Sequence, residues 1–307
     1  TISVGGTATV ATQVRFRIGG ILSGSFTVPV GAVNATTAHA AAKVAIESVL
    51  DVPTIMTGTT SLTATSRWEG VSANDIKIEV VADSLNGLTV TIVQPTGGTN
   101  NPDVTVALNQ IVTRWETMIV NCLNYSDTTT LGAITTWGEG RWLPQVMKPA
   151  IAFVGCTETS STTAVAVSDA RKTDYVNCQI NDPGSPDLPL IVAARAVARI
   201  AYVANSNPPT GYTGQKLTQT TPGAEASQWD FSARDAVKKA GGSTVEIVDG
   251  VVQLSDVVTM YHPTGETPPA YAEVVTIVKL QNAIYNYRLP FMAPEWAAAP
   301  LIPDGQV

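Results

Sequence analysis

From residue 104 to residue 204 short apolar runs alternate with longer helix-forming ones, and this alternation restricts the fold more than any other feature of the sequence. Residues 104–112 read as helical and 115–122 as a strand. Asp127 is placed to cap a helix containing Leu131 and Ile134. A buried strand at 150–154 leads to a helix around 164–172, a strand at 175–180 and a long Ala-rich helix at 190–204. Arg195 and Arg199 stand one turn apart on the wet face of that last helix. Strands interleaved with helices imply right-handed crossovers and a largely parallel sheet, so the expected class of this region is α/β.

Residues 205–228, rich in Pro, Gly, Thr and Gln, predict an exposed loop. The sequence SARD at 232–235 reads as a capping box opening a helix that stops at Gly241 and Gly242. Residues 244–248 and 251–261 flank Asp249 and Gly250, the pairing that suits a type I′ hairpin. A helix over 273–287 places Ile277, Leu280, Ile284 and Tyr287 on one face, and Pro290 is expected to end it. Residues 291–307 are a Pro- and Ala-rich tail without periodicity.

The first hundred residues carry a different rhythm. Val14, Phe16 and Ile18 alternate with Arg15 and Arg17, the period-two pattern of a half-buried strand. Residues 25–30 follow as a second strand. Thr36 or Thr37 can cap a helix over 38–50, which Pro53 prevents from continuing. Ile76, Ile78 and Val80 face one way with Lys77 and Glu79 opposite; residues 88–92 repeat the alternation, and Asn86-Gly87 lies between as a turn signal. The loop QPTGGTNNPD at 94–103 marks a boundary. The expected organisation is a small β-rich α+β domain at 1–100, an α/β domain at 101–290 and the tail at 291–307.

The sequence offers little chemistry. It lacks GxGxxG after a strand, GxxxxGK[ST], GxSxG and HExxH, so phosphate cradles, a serine elbow and a zinc helix have no motif. Gly138 to Arg141 (GEGR) reads as a loop whose Glu139 would repel phosphate. Of the two histidines, His39 is expected on a helix surface, and His262 lies in a turn-rich loop with Asp256 on the preceding hairpin. A triad there would need a serine that no motif supplies. Asp182, Asp187, Asp230 and Asp235 fall in or beside loops and read as solvated turn residues. Cys122, Cys156 and Cys178 form no CxxC pair and are expected as buried free thiols. No catalytic, cofactor-binding or metal-binding residue is assigned, and no cofactor is implied.

Charge sets the partners. The net charge of −7 gives no basic face for nucleic acid, and no apolar run approaches the ~20 residues of a membrane span. No secretion signal is legible at the start, and there is no initiator Met, as expected of a trimmed chain. Charged residues make up 14% of the chain, against about 25% in ordinary soluble domains. A surface so weakly charged suits packing against copies of itself.

Several segments together resemble the sheath subunit of contractile phage tails, the Mu-like group especially. They are LTATSRWEGVSANDI at 62–76, NPD at 101–103 with the helix after it, and WETMIV at 115–120 with the helix start at Asp127. Two more follow: Arg234-Asp235 with the hairpin at 245–261, and the helix at 271–288. The resemblance spans about residues 60–290, and order and spacing make it specific. It implies a subtilisin-like α/β domain without a catalytic triad. It implies hexameric rings stacked helically around a tail tube protein, with baseplate and tail terminator proteins at the ends, in a virion tail assembled in the host cytoplasm. Contraction would drive the tube through the host envelope without a nucleotide. In that family terminal arms add strands to neighbouring subunits. This chain begins in strand-like sequence and lacks the family's basic C-terminal domain after Pro290, so it is expected to be a core that does not polymerise alone. The alternatives are the sheath of a phage-derived injection particle, a degenerate subtilisin-like hydrolase centred on His262, and a carbohydrate- or receptor-binding module using Trp68, whose bland reading is packing beside Gly70.

Overall fold

The computed structural model describes residues 1–267 and 269–291. The expectations for 291–307 therefore lie, beyond Phe291, outside the described residues.

The first part of the chain contains β1 (Ile2–Ala8), β2 (Thr12–Ile18), β3 (Ile21–Leu22), β4 (Phe26–Val28), β5 (Gly31–Ala32), α1 (Ala35–Glu47), β6 (Thr54–Thr57), β7 (Thr63–Ser66), β8 (Ile78–Val81) and β9 (Leu88–Ile92). β1 lies between β5 and β9, β2 pairs with β3, β4 and β8, and β6 pairs with β7, all antiparallel. Alternation in β2 buries Val14, Phe16 and Ile18, and α1 closes the core with Ala42 and Ile46. Asn34, not Thr36 or Thr37, caps α1: its Oδ1 accepts from the Thr37 N–H. Asn86 and Gly87 both have positive φ, but they do not join β8 to β9 as a hairpin. The turn passes the chain from one sheet to another, and its carbonyls accept from the Thr7 and Thr9 N–H groups.

His39 departs from expectation. It is buried, and its Nε2 accepts from the Val4 N–H at 2.9 Å, tying α1 to β1. Its neighbours are mostly alanine, so no apolar stripe betrays which side of α1 faces inward.

The second part contains α2 (Val104–Leu108), β10 (Met118–Asn121), α3 (Thr128–Trp142), β11 (Ile151–Cys156), α4 (Ser161–Ala170), β12 (Asn177–Asn181), α5 (Pro189–Ser206), α6 (Phe231–Lys239), β13 (Gly242–Val248), β14 (Val251–Asp256) and α7 (Val274–Phe291). The five strands run in the order β10-β11-β12-β13-β14; the first four are parallel and β14 is antiparallel. The α/β class is what the alternation of 104–204 requires. Successive side chains of β11 point to opposite faces. Ile151 and Phe153 pack under α5 and α7, while Ala152, Val154 and Cys156 pack under α2, α3, α4 and α6. The sheet is thus the middle layer of three.

Several local expectations are corrected here. Residues 138–141 are helical, inside α3: Gly138 approaches Val176 so closely that a Cβ would lie 2.4 Å from it. Arg141 is buried, and its guanidinium donates to the carbonyls of Ile111, Arg114 and Lys148. The cap of α6 is Asp230, which accepts from the Ala233 N–H, and not Ser232. The loop after α5 is anchored, with Tyr212 and Leu217 buried. Its backbone at 214–217 bonds to Val252 and Leu254, covering the outer edge of β14. On α7 the buried face is Val274, Ile277, Val278 and Gln281, whereas Leu280 and Tyr287 are exposed. Gln281 turns inward because its amide donates to the Thr117 and Pro149 carbonyls. Pro290 does not stop α7, which runs on to Phe291, and having no N–H it leaves out the bond to the carbonyl four residues back.

Candidate functional site

In open α/β sheets the crevice outside the carboxyl ends of the parallel strands is where ligands bind. Here the first part of the chain is docked on it. The residues following β11 and β12 include Thr157, Asp182, Ser185 and Asp187, all buried. Lys77, just before β8, reaches them: its ammonium donates to the Ser185 carbonyl at 2.9 Å and the Thr157 carbonyl at 3.3 Å. After β10, the Asn124 amide donates to both oxygens of Asp75, at 2.7 and 2.9 Å. Leu188 packs into the apolar core of the first part. The Gly19-Gly20 turn after β2 lies on Asp187 and Leu188; a Cβ on Gly20 would fall 2.1 Å from Asp187 Oδ1 and 2.9 Å from its Cα.

The charges along this seam are held differently. Asp187 accepts from the Arg195 guanidinium and from the Thr221 N–H. Asp182 is fully buried, and neither of its oxygens finds a donor in good geometry. Burial pushes its carboxyl up to about 7, tempered by the Ser185 hydroxyl and the Lys77 charge. Burial raises Asp75 to about 6 against the Asn124 bond, and holds Lys77 below its ordinary value. The Cys156 thiol, also buried, is pushed up to about 12. Asp182 and Asp187 are therefore not solvated turn residues. Lys77 does stand opposite Ile76 and Ile78, but that side meets strand ends, not water. Its isolation between two apolar residues was a signal, though an ordinary wet strand face shows the same pattern.

The other singled-out residues do not gather with these. His262 Nδ1 lies 2.7 Å from the Met260 carbonyl oxygen and Nε2 lies 3.3 Å from Asp169 Oδ1. Asp256 instead accepts from Lys238 at 2.6 Å, so the base and orienter of a triad are not paired. Asp235 pairs with Lys239 on α6. Trp68 is half-buried against the first core and donates to Ser72 Oγ at 3.2 Å. Cys156 and Cys178 are buried free thiols, but Cys122, one residue past the end of β10, is exposed. Among the described residues no group of three or more His, Cys, Asp or Glu could hold a metal ion, and no helix is long and apolar enough to cross a membrane.

The close approach of Gly20 to Asp187 sets one expectation. Gly20→Ala should destabilise the protein by about 2–3 kcal/mol, combining φ +86° strain with overpacking. Gly250→Ala, also at positive φ but with nothing within 4 Å, should cost about 1 kcal/mol. Urea denaturation of both variants checks this; equal losses would mean the seam is loosely packed.

No family model matches the chain. A Mu-like prophage FluMu tail sheath protein of Haemophilus influenzae is 25% identical over 246 residues, covering 78% of this chain. The chain spans about half the length of that relative, 50%. Two solved structures of sheath tail proteins are also similar. The one from Desulfitobacterium hafniense has a TM-score of 0.45 at 13% identity, over 94% of this chain and 62% of that one. The one from Listeria innocua has 0.43 at 10%, over 92% and 61%. The resemblance carried by LTATSRWEGVSANDI and the four segments after it thus agrees with an alignment over most of the chain: this protein is similar to a tail sheath protein of a Mu-like prophage.

Proposed function

We propose that this chain is a structural subunit of a contractile tail sheath, without catalytic residues, metal or cofactor. The observation that carries the reading is the 246-residue alignment with a tail sheath protein. The docked strand ends support it: the crevice an α/β enzyme would keep for substrate is occupied by Lys77 and the Gly19-Gly20 turn. The chain divides into a β-rich domain at 1–100, a subtilisin-like α/β domain at 101–290 and a tail at 291–307. Copies assemble as hexameric rings stacked helically around a tail tube protein, bounded by baseplate and terminator proteins. Assembly takes place in the host cytoplasm and the product is a virion tail. Contacts that do not close on themselves generate such helical tubes, and contraction releases free energy stored in the extended packing. A phage-derived particle would use the subunit in the same way. Neither nucleic acid nor membrane is a direct partner, in keeping with the net charge of −7.

Negative-stain electron microscopy of the longest natural form of the chain, beside the 307-residue form, tests this. Rings or tubes from the longer form are expected, templated by tube protein where it is supplied. Monomers at high concentration under all these conditions would sink the reading.

A further inference from the structure

Three carboxylates sit at the seam between the two parts, Asp182 and Asp187 buried and Asp75 half-buried, and two of them have partners. Asp187 has the Arg195 guanidinium and the Thr221 N–H, and Asp75 has the Asn124 amide. Asp182 has none. The nearest cation, Lys77, comes from the opposite side of the seam and spends its donors on the Thr157 and Ser185 carbonyls. On its own side Asp182 lies by the Ser185 hydroxyl, which donates to the Thr221 carbonyl instead, and feels the Asp187 carboxylate and, more weakly, Arg195. Around Lys77 stand Glu79, the exposed Glu158 and the buried Cys156; Tyr125 lies by Cys156, Glu158 and Asp75. None of these donates a hydrogen bond to Asp182.

A carboxylate stripped of water and given no donor is costly when ionised and tolerable when neutral. The neutral acid therefore fits the closed seam, and the ionised acid gains most from water entering it. We propose that the seam is a proton-controlled joint, closed while Asp182 is protonated and eased open when Asp182 ionises, so that the β-rich part parts from the α/β part without either unfolding. This rests on the two-domain division proposed above.

The sign and window follow from burial. The carboxyl stands at about 7 in the closed seam against 3.8 for a free side chain. Its contribution to closure is full below the lower value, is lost as pH rises between the two, and is flat above the higher. Asp75, raised to about 6, adds dependence of the same sign over a narrower range. Lys77, depressed by burial, adds a constant bias toward opening at any pH below its depressed value.

Acylation of the Lys77 amine in the intact chain, normalised to the exposed Lys239, reads the joint, because the closed seam holds that amine on the Thr157 and Ser185 carbonyls. Hydrogen exchange of the Ile180 amide in β12 reports the sheet core. Between pH 5 and 7 seam protection is expected to fall by about tenfold per pH unit, level off above about 7.5, and leave Ile180 protected. Asp182→Asn should remove more than half of that slope, up to the tenfold per unit that one proton can give. A flat wild-type seam, or an Asp182→Asn slope equal to wild type, would overturn the joint. If Ile180 loses protection in step with the seam, the two parts do not separate, and the joint and the two-domain division fail together. Should Asp182→Asn not fold, the wild-type slope and the Ile180 reference decide the matter.

Discussion

Gly155→Ala is expected to prevent stable folding. Gly155 lies in β11, where α5 begins directly against it: a Cβ there would be 1.8 Å from the Pro189 carbonyl oxygen, 2.4 Å from its carbon and 2.9 Å from its Cα. All three are backbone atoms, so no side chain can rotate away. Relief would need α5 to shift off the sheet, and α5 contributes Val192, Ala193, Ala196, Ile200 and Val203 to the buried face. Overpacking of flexible side chains costs about 1–3 kcal/mol; displacement of a main chain should exceed about 4, a large share of the roughly 5–15 kcal/mol that holds a domain. Gly140→Ala is the matched control, because that glycine sits in α3 with nothing within 4 Å. It should stabilise by up to about 1 kcal/mol through helix propensity. Thermal and urea unfolding compare the pair, and a Gly155→Ala midpoint near wild type would show that the strand–helix approach is looser than described.

Arg141→Met should cost about 3–5 kcal/mol. The guanidinium gathers the carbonyls of Ile111 at 2.8 Å, Arg114 at 2.5 Å and Lys148 at 3.1 Å, and it stacks over Trp137. Those carbonyls belong to irregular chain on either side of α3, so one side chain serves in place of a ladder. Each buried acceptor left without a donor costs about 1–3 kcal/mol, moderated where water can enter. Lysine cannot aim at three acceptors at once, so Arg141→Lys should recover less than half of the loss. Denaturation midpoints of the two variants measure both effects. A loss below about 1 kcal/mol for methionine would mean that solvent already satisfies these carbonyls.

The contrast between what was legible and what was not is physical. Strands and turns whose signals are local came through: the apolar–threonine alternation of 88–92 forms β9, Asp127 accepts from the Thr130 N–H as a cap should, and Asp249 and Gly250 both take positive φ between β13 and β14. Errors arose where the deciding partner is distant in sequence. GEGR at 138–141 resembles a loop by composition, yet Gly138 is needed for contact with Val176 and Arg141 for carbonyls on two separate segments. Gln281 looks like a wet residue of α7 until the Thr117 and Pro149 carbonyls are in place. The seam was the least visible feature, since Lys77, Gly20, Asp182 and Asp187 are each unremarkable in local sequence and acquire meaning through docking of one part on the other.

The strand order of the five-stranded sheet bears on how the chain is made. Because β10 to β14 lie side by side in the order of synthesis, each new strand leaving the ribosome can be laid on an edge already formed. No strand has to be threaded between two others, although β13 must wait for residues 182–241 to follow β12. The segment at 214–217 is translated before β14 and later covers its edge, so it must wait for the last row before it can bond. The first part of the chain is built the other way. β1 pairs with β9, and the Thr1 nitrogen donates to the Val93 carbonyl, so the row at β1 stays unfinished until β9 has been translated. During synthesis, then, β1 is among the late strands of its own part to settle, while the later sheet grows row by row behind it.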